Sequence, residues 1–145
     1  MKIKVIERSA LANYSAEKMY ALVHDFEAYP HYMPGCVGAE LLESGEDWIK
    51  ARLDLAMAGL KQSIVTRNTL QAPRAMHIDQ VEGPFAHFKG KWSFDTLSPE
   101  ACKVVFVMEF AFASRILGLA AGKLFEQVAS QQVKAICERA KFIYG

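Results

Sequence analysis

From about residue 37 to 113 the sequence runs in stretches of roughly 8–12 residues, each closed by a turn signal: Ser44-Gly45-Glu46-Asp47, Ala58-Gly59, Ala72-Pro73-Arg74, Glu82-Gly83-Pro84 and Ser98-Pro99-Glu100. Short strands joined by tight turns pair with their chain neighbours, so this pattern predicts an antiparallel meander. Three of the stretches reveal which face is inside. Phe88, Gly90, Trp92 and Phe94 alternate with Lys89, Lys91, Ser93 and Asp95. Cys102, Val104, Phe106, Met108, Phe110 and Phe112 share one parity, with Lys103 and Glu109 on the other. Near 48–58 the apolar parity is Ala51, Leu53, Leu55 and Met57, opposite Lys50, Arg52 and Asp54. The sheet is therefore expected to carry one apolar and one charged face.

The remaining segments must cover the apolar face. Residues 2–12 alternate loosely around Ile3, Val5 and Leu11 and read as a strand; Ser15 then offers an N-cap to a short helix over Ala16–Val23. Tyr29-Pro30 and Met33-Pro34-Gly35 restrict a second helix to a turn or two at 25–32. After Ser114 no proline interrupts the chain up to Tyr144, a length that makes one helix of roughly 45 Å, its first turns loosened by Gly118 and Gly122. Its stripe of Leu117, Ala121, Leu124, Phe125, Val128, Gln132, Ala135, Ile136, Arg139, Ala140 and Ile143 is mostly apolar and seeks a partner surface. The expected architecture is α+β in one domain over 1–145: a strand, two short helices, then a curved antiparallel sheet wrapped around a long C-terminal helix. Such a wrap leaves an apolar gap wherever the side chains between sheet and helix are too few to fill it.

Composition narrows the function. Of 145 residues 52% are hydrophobic, enough for one substantial core. Seventeen Lys and Arg against sixteen Asp and Glu exclude wholesale coating of nucleic acid, and no DNA partner is expected. The surplus is local: 114–144 holds five cations (Arg115, Lys123, Lys134, Arg139, Lys141) against Glu126 and Glu138, while the rest holds 12 against 14. That is either a solvated helix face or a patch for anionic lipid or ribosomal RNA. Cys36, Cys102 and Cys137 are odd in number and widely spaced, which suits a reducing compartment, and the mixed-charge start does not resemble a leader. A cytoplasmic location is expected. No apolar tract approaches the roughly 20 residues of a membrane span, so any membrane contact would be peripheral.

The chain carries no GxSxG, Walker loop or GxGxxG, and His24, His31, His77 and His87 lack metal-ligand spacing. Glu109, Asp54 and Arg67 read as outward residues, Glu109 paired with a Lys or Arg of a neighbouring strand. Asp25 reads as a helix cap or a ligand contact. The Tyr29–Cys36 segment reads as a lid packed on the sheet end, as a gate at a cavity mouth, or as a tip that docks on a membrane.

Val23-x-Asp25-x-x-x-Tyr29-Pro30 running into Met33-Pro34-x-Cys36, Gly83-Pro84-Phe85 followed by Gly90-x-Trp92-x-Phe94, and Arg139-Ala140 before Tyr144-Gly145 together resemble the coenzyme-Q-binding START-domain family, in particular its bacterial RatA-like branch. The resemblance spans almost the whole chain. It implies the helix-grip fold shared with polyketide cyclases and lipid-transfer proteins. It also implies a non-enzymatic protein that needs no resident cofactor, takes ubiquinone or a related polyprenyl lipid as bound ligand, and supports respiration at or near the inner membrane. A second implication is a toxin that binds the large ribosomal subunit and blocks subunit association. A ligand held between sheet and helix would meet Leu53, Leu55, Phe88, Trp92, Phe94, Phe106, Met108 and Phe110 from the sheet, Leu124, Phe125 and Val128 from the helix, and Tyr29, Tyr32 and Met33 from the lid. Trp92, Tyr29, Tyr32 or Gln80 would supply a hydrogen-bond donor for a quinone head. A cyclase would instead need an acid–base pair inside, from groups such as Asp54, His77 or Glu109.

Overall fold

The computed structural model describes residues 2–57 and 59–145. Of the expected turn Ala58-Gly59, Ala58 lies outside the described residues, as does the side chain of Met57. Strand β1 (Lys4–Ala12) is followed by helix α1 (Ala16–His24) and a 3-10 helix (Phe26–His31). Strands β2 (Cys36–Ser44), β3 (Trp48–Met57), β4 (Leu60–Gln71), β5 (Ala75–Glu82), β6 (Phe85–Ser98) and β7 (Ala101–Phe112) come next, then helices α2 (Arg115–Ser130) and α3 (Gln132–Tyr144).

Strands β2 to β7 form the expected meander, every pair antiparallel. Local patterning does not foretell the last step: β1 pairs with β7, Lys4 opposite Phe110 through to Ala12 opposite Cys102, giving one seven-stranded sheet in the order β1-β7-β6-β5-β4-β3-β2. The inward parities hold. Cys102, Val104, Phe106, Met108 and Phe110 on β7 are buried, as are Trp92 and Phe94 on β6 and Ile49 and Ala51 on β3. A bulge between Phe85 and His87 resets β6, so Phe85 and Phe88 bring their rings to 5.0 Å of each other.

Ser15 caps α1 by accepting from the Lys18 N–H at 3.2 Å, and Ser114 caps α2 by accepting from Leu117 N–H at 3.1 Å. Asp25 occupies the cap position between α1 and the 3-10 helix as expected, but through its backbone: its N–H donates to the Ala21 carbonyl at 3.0 Å, its carbonyl accepts from Ala28 at 3.2 Å, and its side chain makes no capping hydrogen bond. The long C-terminal helix is corrected. It breaks at Gln131, where φ is −97° and ψ 0°. Gln132 Nε2 donates to the Val128 carbonyl at 3.1 Å, taking the acceptor that the Gln132 backbone N–H would use in an unbroken helix, and Ser130 Oγ donates to the Gln127 carbonyl at 2.8 Å. α3 then packs on α1, its Ile136 and Ala140 fully buried and its Tyr144 Oη donating to the Lys18 carbonyl at 2.9 Å.

The stripe of the C-terminal segment is narrower than expected. Ala121, Phe125, Ala129, Val133, Ala135, Ile136 and Ala140 are buried, whereas Leu124 and Ile143 are exposed at 36% and 48%.

Candidate functional site

A cavity of about 100 Å³ lies between the inner face of β3–β7, α2, and the segment from Phe26 to Cys36. The strand parities dictate its wall: Leu53 and Leu55 come from β3, Trp92 and Phe88 from β6, Phe106 and Met108 from β7. α2 contributes Phe125 and Val128, and the lid contributes Tyr29 and Met33. The other four residues expected at a ligand lie elsewhere. Phe94 is packed under α1, edge-on to Tyr20 at 5.9 Å. Phe110 is held edge-on by Phe125 at 4.8 Å, behind the cavity wall, and Leu124 turns toward solvent. Tyr32 stands edge-on to Tyr29 at 6.0 Å with the Arg139 guanidinium 4.9 Å from its ring centroid.

The lid is built from the proline-bounded loop. Tyr29, Met33 and Cys36 are buried, which overturns the reading of this segment as a membrane-docking tip. Gly35 (φ +77°) lets the loop press on α2 so closely that a Cβ there would stand 3.2 Å from Val128 Cγ1. Tyr29 Oη donates to the Val23 carbonyl, which ties the lid to α1. Burial holds the Tyr29 hydroxyl well above the usual tyrosine range, reinforced by neighbouring Tyr32. Burial also raises Tyr32, with Arg139 pulling the other way, and raises the Cys36 thiol, which donates to the Gly38 carbonyl at 3.4 Å. All three groups are neutral at pH 7.

Two of the donors expected for a quinone head serve the fold instead. The Tyr29 hydroxyl is used on Val23, and Gln80 is committed to the β5–β6 turn, where Nε2 donates to the Phe85 carbonyl at 2.8 Å and Oε1 accepts from the Phe85 N–H at 3.2 Å. The polar spot in the wall is instead Thr66 and Asn68 on β4, exposed by 4% and 7%. Thr66 Oγ1 donates to Asn68 Oδ1 at 2.9 Å, while Asn68 Nδ2 has only the weak acceptor Met76 Sδ at 3.8 Å. An amide hydrogen is thus left for a group in the cavity. Sequence reasoning missed this pair, along with Met76 and Gln132 at the wall.

Among the described residues the cavity lining contains no Asp, Glu, Lys, Arg or His. Asp54 is met by Ser63 Oγ at 2.6 Å and Arg52 Nε at 3.2 Å, which hold its carboxyl below the usual range, the Ser63 bond most of all. Glu109 pairs with a neighbouring strand as expected, but its partner is His87 Nε2 at 3.0 Å rather than a Lys or Arg; His87 stands opposite Ala111, two residues along from the Lys89–Glu109 pair, and so lies on the same outward face, diagonal to Glu109. Arg67 lies over the Trp48 ring at 4.2 Å.

A curved antiparallel sheet closed by C-terminal helices over an apolar cavity defines the helix-grip class of domain. Residues 12–137 match the family described as polyketide cyclase / dehydrase and lipid transport, and the chain belongs to it. It is 40% identical over 140 residues to the ribosome association toxin RatA of Escherichia coli K12, covering 97% of this chain and 89% of that one. It is 26% identical to the mitochondrial coenzyme Q-binding protein COQ10 homolog B of Xenopus laevis, covering 94% of this chain and 58% of that protein. Among solved structures, the Zhui aromatase/cyclase from Streptomyces sp. R1128 superposes with a TM-score of 0.81 at 23% identity, covering 97% of this chain and 94% of that one, a likeness of fold.

Proposed function

We propose that this protein binds a ring-bearing apolar ligand, ubiquinone or a related polyprenyl lipid, in the cavity under α2 and catalyses no reaction on it. The observation that carries this reading is a largely apolar wall whose polar side chains are uncharged, Gln132 at one end and the buried Thr66–Asn68 pair on β4, the pair with an amide hydrogen to offer a carbonyl oxygen. No side chain of the lining can exchange a proton near neutral pH, so the site suits holding better than acid–base chemistry. At about 100 Å³ the space is smaller than the roughly 300–1,000 Å³ usual for organic ligands, so binding entails enlargement. Met33, Met76 and Met108 in the wall are unbranched and adaptable, and the lid rests on Val128 without a hydrogen bond to α2 among the described residues. Solvent extraction of the purified protein, read by ultraviolet absorbance and mass spectrometry, should release a quinone in stoichiometric amount. Added ubiquinone should raise the thermal midpoint of stripped protein, and Trp92→Ala should abolish both effects. Absence of extracted lipid together with an unmoved midpoint overturns the reading.

A second reading, association with the large ribosomal subunit, has its own support. Relatives 40% identical are named for ribosome association, and folding makes the helix cations part of a longer basic edge. Arg8 of β1 shares one depression with Lys123 and Glu126 and an adjoining one with Lys134, Lys141 and Glu138, the last 4.0 Å from Lys134, so cations outnumber carboxylates along it. Co-sedimentation with large subunits that falls steeply with salt, and that Lys134→Glu with Lys141→Glu weakens, supports this reading. Unchanged binding by that variant removes the basic edge from the account.

A further inference from the structure

We infer that the N-terminal half of α2, with the groove beneath it, docks on an anionic lipid bilayer. Ile116 and Leu119 are 81% and 83% exposed on the first turns of this helix, a degree of exposure that aliphatic side chains three residues apart hold only at a cost in water. Leu119 lies four residues from both Arg115 and Lys123, so cation, aliphatic and cation follow one another along one face. All three border a groove of about 870 Å³ between α2 and the β1–β7 edge, whose floor includes Phe110 and Phe112 and whose far rim carries Lys2 and Lys4. Its one carboxylate, Glu126, is already met by Lys4 at 3.5 Å. Gly118 and Gly122 keep it open, and a Cβ on Gly122 would meet nothing within 4 Å.

Charge and hydrophobicity together select the partner. A helix lying in a bilayer surface buries its apolar side chains about 5–10 Å into the headgroup/acyl boundary while its cations meet anionic headgroups, which matches cations flanking projecting aliphatics. Nucleic acid satisfies the cations and offers no hydrocarbon to Ile116 and Leu119. A second copy of this chain docked symmetrically would set four cations against four. The surface is separate from the ligand cavity, and its test needs no quinone, so failure here and failure of the ligand reading are distinguishable.

The test is co-sedimentation with vesicles of phosphatidylcholine alone and of phosphatidylcholine with phosphatidylglycerol. The protein is expected to partition onto the anionic vesicles, and less so as salt rises. Ile116→Ser with Leu119→Ser should lower partitioning at least about tenfold, and Arg115→Glu about fivefold or more. Circular dichroism should be unchanged in both variants, since all three side chains project into solvent. Equal binding to neutral and anionic vesicles overturns the inference, as does parental partitioning by the aliphatic variant. So does a result in which Arg115→Glu abolishes binding to large ribosomal subunits while neither vesicle captures the parent protein.

Discussion

Thr66 and Asn68 illustrate why a buried polar pair stands or falls as a unit. Asn68→Leu strands the Thr66 hydroxyl in the wall, an unsatisfied buried group that costs about 1–3 kcal/mol, so the thermal midpoint should drop by several degrees. Thr66→Val with Asn68→Leu removes both partners and should recover most of that loss while quinone retention stays low. Calorimetry beside extraction separates the two effects, and a double variant less stable than Asn68→Leu alone would contradict the pairing. A second residue-scale expectation concerns alkaline pH. Tyr29 and Tyr32 titrate higher folded than unfolded, chiefly through burial. Their contribution to stability is therefore complete below the unfolded value of about pH 10 and is lost as pH rises above it. Tyrosinate absorbance should show these two rings ionising only as the fold is lost; early, non-cooperative titration of all five tyrosines would be the contrary result. Reading hydrophobicity along β4 hides Thr66 and Asn68, because the inward row is Ile64, Thr66, Asn68 and Leu70. The signal was the parity of Arg67, whose outward placement puts both polar neighbours inside.

At the scale of elements, strand and helix identities were legible because they rest on local periods and caps. Ser15 and Ser114 mark the helix starts, and alternation marks β3, β6 and β7. The break at Gln131 was not, since neither glycine nor proline marks it. It arises from side chains that capture carbonyls of the preceding turn, and those contacts exist only once the turn is formed. Two glycines give opposite expectations. Gly122 is interior to α2 with open space around it, so Gly122→Ala should stabilise the protein by about 0.5–1 kcal/mol and raise the midpoint by a few degrees. Gly35 adopts φ +77° against Val128, so Gly35→Ala should destabilise it by more than about 1 kcal/mol and loosen the lid. Thermal melts of both variants check this, and a stabilising Gly35→Ala would mean the lid does not rest on α2.

At the scale of the whole molecule, the cavity is a packing defect retained inside an otherwise filled core. Ala51 is buried in its wall, and Ala51→Val adds two carbons where space exists. The variant should melt at or above the parent temperature while its midpoint responds less to added ubiquinone. A variant that melts lower yet responds fully would show that the space near Ala51 does not serve the ligand. The sequence alone determined the antiparallel meander, the faces of its strands and the helix that covers them, because alternation, turn residues and caps act over a few neighbouring positions. Only the tertiary structure decided that β1 closes against β7 and that the C-terminal segment bends at Gln131. It also decided that Phe94 and Phe110 fill space while Trp92 and Phe106 bound it. Inward residues are alike in a period-two pattern. Which of them touch a ligand depends on partners such as Tyr20 and Phe125, brought from distant parts of the chain, and no local period encodes those distances.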